Sequence, residues 1–315
     1  MRRFEIIASS LSKDTIPLPP PGVSEKALSE GIRLFKIICF PELVASSSNE
    51  SETRLVLLRR AVEELSEIIS NEIRKAFQLL AHEKRYFPSS KDEDGMTRIP
   101  RDIDEQSRQL ADQFVDTLPS LQALLNADMM ALYEHDVAAT SRIEVVVCYP
   151  SVTVMLHYRM ANQLYRLGAP NLLTRRLTEM AHCLTGVDIH PQTTIGRSFF
   201  LDHGTGVVIG STAVIGDRVS VYQGVTLGAR AFQVDETTGK KLKFLPRHPI
   251  IEDDVTIYAN ASVLGRITIG KGSIIGGSVW VTSNVPPNTT LVQGSARRVP
   301  RNKIFELSFV DGEGI

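Results

Sequence analysis

The chain of 315 residues is poor in the features that would tie it to a surface, a polymer or an oxidising compartment. Its three cysteines, Cys39, Cys148 and Cys183, are odd in number, far apart and outside any CxxC spacing. That pattern argues against a disulfide scaffold and suits a reducing compartment, with all three read as ordinary buried thiols. Charge of one sign is lacking: 35 Lys plus Arg face 36 Asp plus Glu, so there is no broad electrostatic footprint for nucleic acid or an anionic membrane. No run of about eighteen apolar residues is present to span a bilayer, and the N-terminus lacks the apolar core of a secretory signal. Met1-Arg2-Arg3 and nearby serines hint at a transit peptide, but Glu5 and Asp14 oppose it, and a cytoplasmic location is expected.

A repeat is what the sequence does contain. Aliphatic residues return every sixth position at Ile195 and Leu201, then at Ile209, Ile215, Val221 and Leu227, then at Ile251, Ile257, Val263, Ile269, Ile275 and Val281. A period of six fits neither the 3.6 of an α-helix nor the alternation of a half-buried strand, but it suits a coil whose short strands each turn one side chain inward. The expected object is a parallel β-helix, stable only when neighbouring coils bury one aliphatic column. Gly follows the inward residue at Ile195, Ile209, Ile215, Leu227, Ile269 and Ile275, and is read as the corner residue that crosses to positive φ.

The N-terminal half has a different period. Residues 1–50 mix a short apolar start with Pro17, Pro19, Pro20 and Pro21 and end in a serine run, so they read as an extension of extended chain and loop. From about Glu52 to Lys84, Val62, Leu65, Ile69, Ile73, Ala76 and Leu80 recur by threes and fours, which predicts one long amphipathic helix. The polar stretch 85–101 is a connection. Further helices are predicted from about Glu105, from near Pro119, through Leu156 to Leu164 with an end at Gly168, and over Asn171–Leu184. Arg142 to Cys148 is a short β-branched run before Tyr149-Pro150. The expected organisation is an extension over 1–50, a helical domain over 51–184, the β-helix over 185–292 and a tail over 293–315.

Two interruptions of the hexad gather the reactive side chains. Leu201 and Ile209 are eight apart, so Asp202-His203-Gly204-Thr205-Gly206 holds two extra residues. Between Leu227 and Ile251 lies a long insertion ending Pro246-Arg247-His248-Pro249, and insertions in solenoids commonly form the binding face. A His beside a carboxylate is a common general-base arrangement, because imidazole titrates near neutrality and a carboxylate can fix its tautomer. An Asp and a His on a turn are also often merely solvated or capping.

The order and spacing of Asp188-Ile189-His190-Pro191, Leu201-Asp202-His203-Gly204-Thr205-Gly206-Val207-Val208-Ile209-Gly210, Gln223-Gly224-Val225-Thr226-Leu227-Gly228 and Arg247-His248-Pro249 resemble the serine acetyltransferase family. The resemblance covers about Asp136 to Leu291. It implies an α+β chain, with an all-helical N-terminal domain followed by a C-terminal left-handed parallel β-helix of hexapeptide repeats that forms a homotrimer or a dimer of trimers with active sites between subunits. It implies transfer of acetyl from acetyl-CoA, a co-substrate rather than a permanently bound cofactor, to the L-serine hydroxyl. On that resemblance His203 is the base and Asp188 its orienting carboxylate, Asp202 and Asp136 receive the serine ammonium, and Arg247 with His248 holds the carboxylate. Gly228, Ala261 and Gly277 are candidates for backbone contact with the pantetheine arm, and Arg297 or Arg298 for the nucleotide phosphates.

The resemblance also implies L-cysteine as a feedback inhibitor at the serine contacts. The ending Asp311-Gly312-Glu313-Gly314-Ile315 resembles the tail by which the family binds O-acetylserine sulfhydrylase, since a terminal carboxylate and an apolar side chain can mimic an amino acid. Departures from the family pattern stand at Val137, where Pro is usual, at Ser211, where Glu is usual, at Ala229, where a second Gly is frequent, and in the length of the insertion. An acetyltransferase for another hydroxylated acceptor, such as a sugar, would keep His203 without needing Arg247 and paired carboxylates. A zinc enzyme on the same scaffold would need His190, His203 and His248 to converge.

Overall fold

The computed structural model describes residue 5 and residues 17–44, 53–86, 98–231, 234–235, 239, 241–242 and 245–294. Its first half is helical: α1 Glu25–Cys39, α2 Pro41–Val44, α3 Arg54–Tyr86, α4 Ile103–Asp116, α5 Leu118–His135, α6 Arg142–Cys148, α7 Pro150–Leu167 and α8 Asn171–Thr185. Helix α1 falls inside the stretch read as an extension. It starts because the Ser24 hydroxyl accepts from Ala27 N–H, and the Ser24 N–H donates to Glu72 on α3 at 2.6 Å. Its Leu28, Ile32, Phe35 and Ile38 are buried in the same core as Leu65, Ile69 and Ile73 of α3. Helix α6 forms despite its β-branched valines, because Ser141 accepts from Glu144 N–H at 3.2 Å and Glu144 accepts from Thr140 N–H at 2.7 Å.

From Asp188 onward the chain winds as a parallel β-helix whose strands form three sheets. One sheet holds β1 Asp188–Ile189, β4 Val208–Ile209, β7 Thr226–Gly228, β10 Ser262–Leu264 and β13 Trp280–Val281. The second holds β2 Thr194–Ile195, β5 Val214–Ile215, β8 Ile250–Ile251 and β11 Thr268–Ile269. The third holds β3 Phe200–Leu201, β6 Ser220–Val221, β9 Thr256–Ile257, β12 Ile274–Ile275 and β14 Thr290–Leu291. Every hexad residue from Ile195 to Val281 is buried, each burial contributing roughly 1.5–3 kcal/mol. The insertion at 229–249 leaves the third coil between the first and second sheets.

The glycines after the inward residues do something other than turn corners. Positive φ is found instead at Ser198, Arg218, Asp254, Asn260, Ser278 and Asn288, and none of the glycines at 196, 210, 216, 228, 270 and 276 adopts it. Those glycines let one coil approach the next. A Cβ on Gly196 would lie 2.6 Å from the Gly216 backbone, and one on Gly270 would lie 2.4 Å from Pro287 N.

Many N–H groups of one coil donate to carbonyls of the following coil, as in Thr194 N–H to Ala213 O and Phe200 N–H to Val219 O, while corner groups such as Arg218 N–H donate back to Arg197 O. Several carbonyls of the first coil take other donors, and α7 supplies them. Asn162 donates to Pro191 O and Thr193 O, Tyr158 to Thr193 O, Arg159 to Ile195 O and Gly196 O, and Ser151 to Leu201 O, at 2.5–2.9 Å. Arg159 also pairs with buried Asp128 of α5, whose carboxylate accepts from Phe199 N–H at 2.9 Å. This is why α7 is buried around its circumference, polar residues included. Of the cysteines only Cys39 is buried. Cys148 and Cys183 are exposed, at the end of α6 and on α8, which corrects the reading of all three as buried thiols.

Candidate active site

The short break lies where the third sheet turns into the first. His203 sits there in the left-handed region at φ 53°, between Asp202 and Gly204, a conformation that His tolerates better than most side chains. The corner is held by Gly204 N–H to Asp202 O at 2.5 Å and Gly206 N–H to Gly186 O at 2.9 Å. The imidazole is carried outward, 74% exposed, with Nε2 at 3.7 Å from Asp202 Oδ1. Asp188 opens the coil that His203 closes, one residue beyond Val187, against which Gly204 packs. Among the described residues no hydrogen bond or ion pair joins Asp188 to His203, so the expected dyad is adjacent but unbonded in the single chain.

Asp136 reaches this corner from the C-terminus of α5. Its carboxylate accepts from Ala138 N–H at 2.8 Å and from the Tyr149 hydroxyl at 2.5 Å, and the residue stands at the C-cap of α5. The Tyr149 bond, then the Ala138 N–H, hold the Asp136 carboxyl below the usual carboxylate range, with a smaller contribution from His203. The same bond pushes Tyr149 up to about 12, and Asp202 adds to that shift. Rings line the corner: His135 to Phe200 at 5.6 Å, Phe200 to Tyr222 at 5.8 Å and Tyr222 stacked on Tyr258 at 5.0 Å between centroids. The structure thus assembles Asp136, Asp202 and His203, and adds Tyr149 and Tyr222.

The long break lies at the opposite edge of the first sheet, where it turns into the second. Here His248 is 6% exposed and covers Gly210. Its Nδ1 accepts from Thr212 N–H at 3.1 Å and lies 2.8 Å from the Thr212 hydroxyl, which in turn accepts from the N–H groups of Arg247 at 2.9 Å and His248 at 3.1 Å. Arg266 donates to Thr212 O at 2.7 Å and His248 O at 2.9 Å. Burial, then the neighbouring Arg247 and Arg266, lower His248 to about 4, so it is a neutral imidazole at neutral pH. His190 shares this corner and is also lowered to about 4, by burial and then by Arg175, His248 and Arg247. Arg247 lines a crevice of about 290 Å³ together with Arg230, Leu245, Leu264 and Arg266.

The two groups of predicted residues thus occupy two edges of one sheet. His190 and His248 meet at one edge and His203 stands at the other, so the three histidines do not converge within one chain. Gly228 lies at the Arg247 edge, while Gly277 lies at the His203 edge, two coils further on. Ala261 turns its methyl into the buried column, and its carbonyl accepts from Thr226 N–H at 3.0 Å. Arg297, Arg298 and the ending at Ile315 lie outside the described residues. Sequence reasoning missed Thr212, Arg266, Tyr149 and Tyr222. Thr212 and Arg266 occupy ordinary polar positions of the repeat, and nothing local marks a partner 36 residues away.

A short-stranded parallel β-helix broken at an Asp-His corner and an Arg-His corner defines a hexapeptide-repeat transferase. Residues 248–283 match the family described as bacterial transferase hexapeptide (six repeats). The chain is 41% identical over 303 residues to the plasmid serine acetyltransferase of Synechococcus elongatus, covering 93% of this chain and 92% of that one. It belongs to the serine acetyltransferase family. Serine acetyltransferase isoform 3 of Entamoeba histolytica, solved in complex with cysteine, superposes with a TM-score of 0.66 at 30% identity, covering 94% of this chain and 90% of that one. A soybean serine acetyltransferase complexed with serine gives a TM-score of 0.52 at 28% identity, covering 88% of this chain and 100% of that one. The β-helix is accordingly of the left-handed hexapeptide type.

Proposed function

We propose that this protein transfers the acetyl group of acetyl-CoA to the hydroxyl of L-serine, giving O-acetylserine and CoA for cysteine biosynthesis. The observation that carries the reading is the outward-held His203 between Asp202 and Asp136, paired across one sheet with the Arg247–His248 turn. A free amino acid needs both ends, anions for its ammonium and a cation with a neutral donor for its carboxylate. In the reaction His203 takes the hydroxyl proton as the serine oxygen attacks the thioester carbonyl. The C–O bond forms, the C–S bond breaks, and the proton passes to the departing CoA thiolate. Asp188 is assigned to orient the imidazole and favour its charged form.

Because the two half-sites face away from each other across the sheet, the active site is assigned to the seam between two copies, in a homotrimer or a dimer of trimers. Acetyl-CoA is assigned to that groove beside Gly228, Ala261 and Gly277, with Arg297 toward its phosphates. L-Cysteine, which exchanges oxygen for sulfur, is assigned to the same contacts as an inhibitor competitive with serine, and the Ile315 tail to O-acetylserine sulfhydrylase. The exposed thiols of Cys148 and Cys183 suit a reducing cytoplasm.

Thiol release from acetyl-CoA across a panel of acceptors tests the reaction. L-Serine is the expected acceptor, and activity with sugars but not serine would overturn the assignment. Coexpression of His203→Ala and Arg247→Ala chains tests the seam. Each variant alone is expected to be nearly inactive and the mixed oligomer active, whereas no recovery would place both half-sites in one chain.

A further inference from the structure

We propose that Thr212 is a positioning residue, which locks the neutral Nε2–H tautomer of His248 and thereby makes this imidazole a fixed donor toward the acceptor's carboxylate. The assignment of the ligand rests on the proposed function, whereas the tautomer rests on hydrogen-bond geometry alone. A hydroxyl has one proton to donate and two lone pairs. In Thr212 both lone pairs are occupied, by Arg247 N–H at 2.9 Å and His248 N–H at 3.1 Å. Its proton is therefore directed at His248 Nδ1, 2.8 Å away, where Thr212 N–H also donates at 3.1 Å. With two donors aimed at it, Nδ1 carries no hydrogen, and the single proton of the neutral ring resides on Nε2.

Nε2 has no hydrogen-bond partner among the described residues, and it is not sealed away. The one described side-chain atom both fully enclosed and unpartnered is Gln223 Oε1, so Nε2 keeps some contact with solvent. The ring has no freedom to turn aside. A Cβ on Gly210 would lie 2.1 Å from Cδ2 and Nε2, and Arg266 clamps the carbonyls at both Thr212 and His248. A neutral donor has a physical advantage next to Arg247. It adds a hydrogen bond to a carboxylate without placing a second cation beside the guanidinium.

The test compares Thr212→Val with Thr212→Ser. The valine variant is expected to raise the KM for serine by about tenfold, the effect of one lost hydrogen bond, while kcat and the KM for acetyl-CoA stay within about twofold. The serine variant should restore the KM for serine to within about threefold. In parallel, 15N spectra of histidine-labelled protein, assigned through His248→Gln, should show an unprotonated Nδ1 and a protonated Nε2 at His248, with a tautomer mixture in Thr212→Val. An unchanged KM for serine in Thr212→Val, or a protonated Nδ1 at His248 in the wild type, would overturn the proposal. Should the wild type ignore serine, the carboxylate-site reading fails while the spectra still decide the tautomer. If Thr212→Val does not fold, the wild-type and Thr212→Ser spectra decide it.

Discussion

The two edges of the first sheet are built by opposite rules. At the His203 corner, two extra residues push the backbone into a left-handed turn and lift the imidazole into solvent, held by few contacts. At the His248 corner, the residues after a long insertion return to the coil and bury their imidazole under six hydrogen bonds shared with Thr212 and Arg266. A base has to accept a proton and give it up, so it needs room to reach the reacting hydroxyl. A carboxylate clamp has to keep one protonation state and one direction. The difference shows that the same residue type can be exposed for reactivity or buried for shape according to which side of one strand it borders.

The contrast breaks most severely at the base. His203→Ala is expected to lower kcat between about a hundredfold and ten-thousandfold, with little change in the KM for serine, measured by steady-state thiol release. The clamp should fail differently. Gly210 does not use positive φ, so alanine suits its backbone, but the new Cβ must displace the His248 ring. Gly210→Ala is expected to raise the KM for serine by about tenfold to a hundredfold, since a misplacement of about 1 Å is enough for such a loss. Gly196→Ala is the control on the scaffold. Its Cβ would meet the Asp217 carboxylate at 2.3 Å and the Gly216 backbone at 2.6 Å, far from both histidine corners, so the loss should be about 1–3 kcal/mol of stability in chemical denaturation.

These glycines also mark the limit of what the sequence discloses. The hexad exposes the column from Ile195 to Val281 because inward residues share one chemical type at one spacing. It also shows that the breaks carry the chemistry, because Asp202-His203 and Arg247-His248 fall where the count fails. The reason for each glycine was legible only in space, where the next coil approaches. Helix α1 was hidden because four prolines and a serine run bracket it, and its apolar face is recognisable only against α3. Thr212, Arg266 and Tyr149 were hidden for a common reason. Each acts on a side chain or carbonyl distant in sequence, and a period reports what faces a core but not what faces a neighbour.

Acidity should separate the edges again, with a smaller effect. His190 and His248 are lowered to about 4 in the folded protein, first by burial and then by nearby arginines, whereas the unfolded chain titrates near 6.5. Above pH 6.5 both states are neutral and the pair costs nothing. As pH falls from about 6.5 toward 4 the unfolded chain binds protons first, so folding stability is lost across that window. Thermal melts should decline there, and His248→Gln should flatten the decline. A decline equally steep in that variant would remove His248 from the account.

The smallest expected effect lies back at the exposed corner, in Tyr149. Its hydroxyl donates to Asp136 Oδ2 and is the largest influence holding that carboxyl low, yet Asp136 keeps the Ala138 N–H when the hydroxyl is removed. Tyr149→Phe should therefore raise the KM for serine only about threefold, the loss of one solvent-accessible hydrogen bond, and leave kcat unchanged. The direction of its pH effect is the sharper readout. Without the hydroxyl the Asp136 carboxyl moves up toward its ordinary range, so it is neutralised at a higher pH and stops attracting an ammonium sooner. The acid limb of kcat/KM for serine should accordingly shift upward in Tyr149→Phe and stay in place in Thr212→Val. A shift in both variants would mean that the two edges are coupled, and that the open corner and the locked one titrate as a single site.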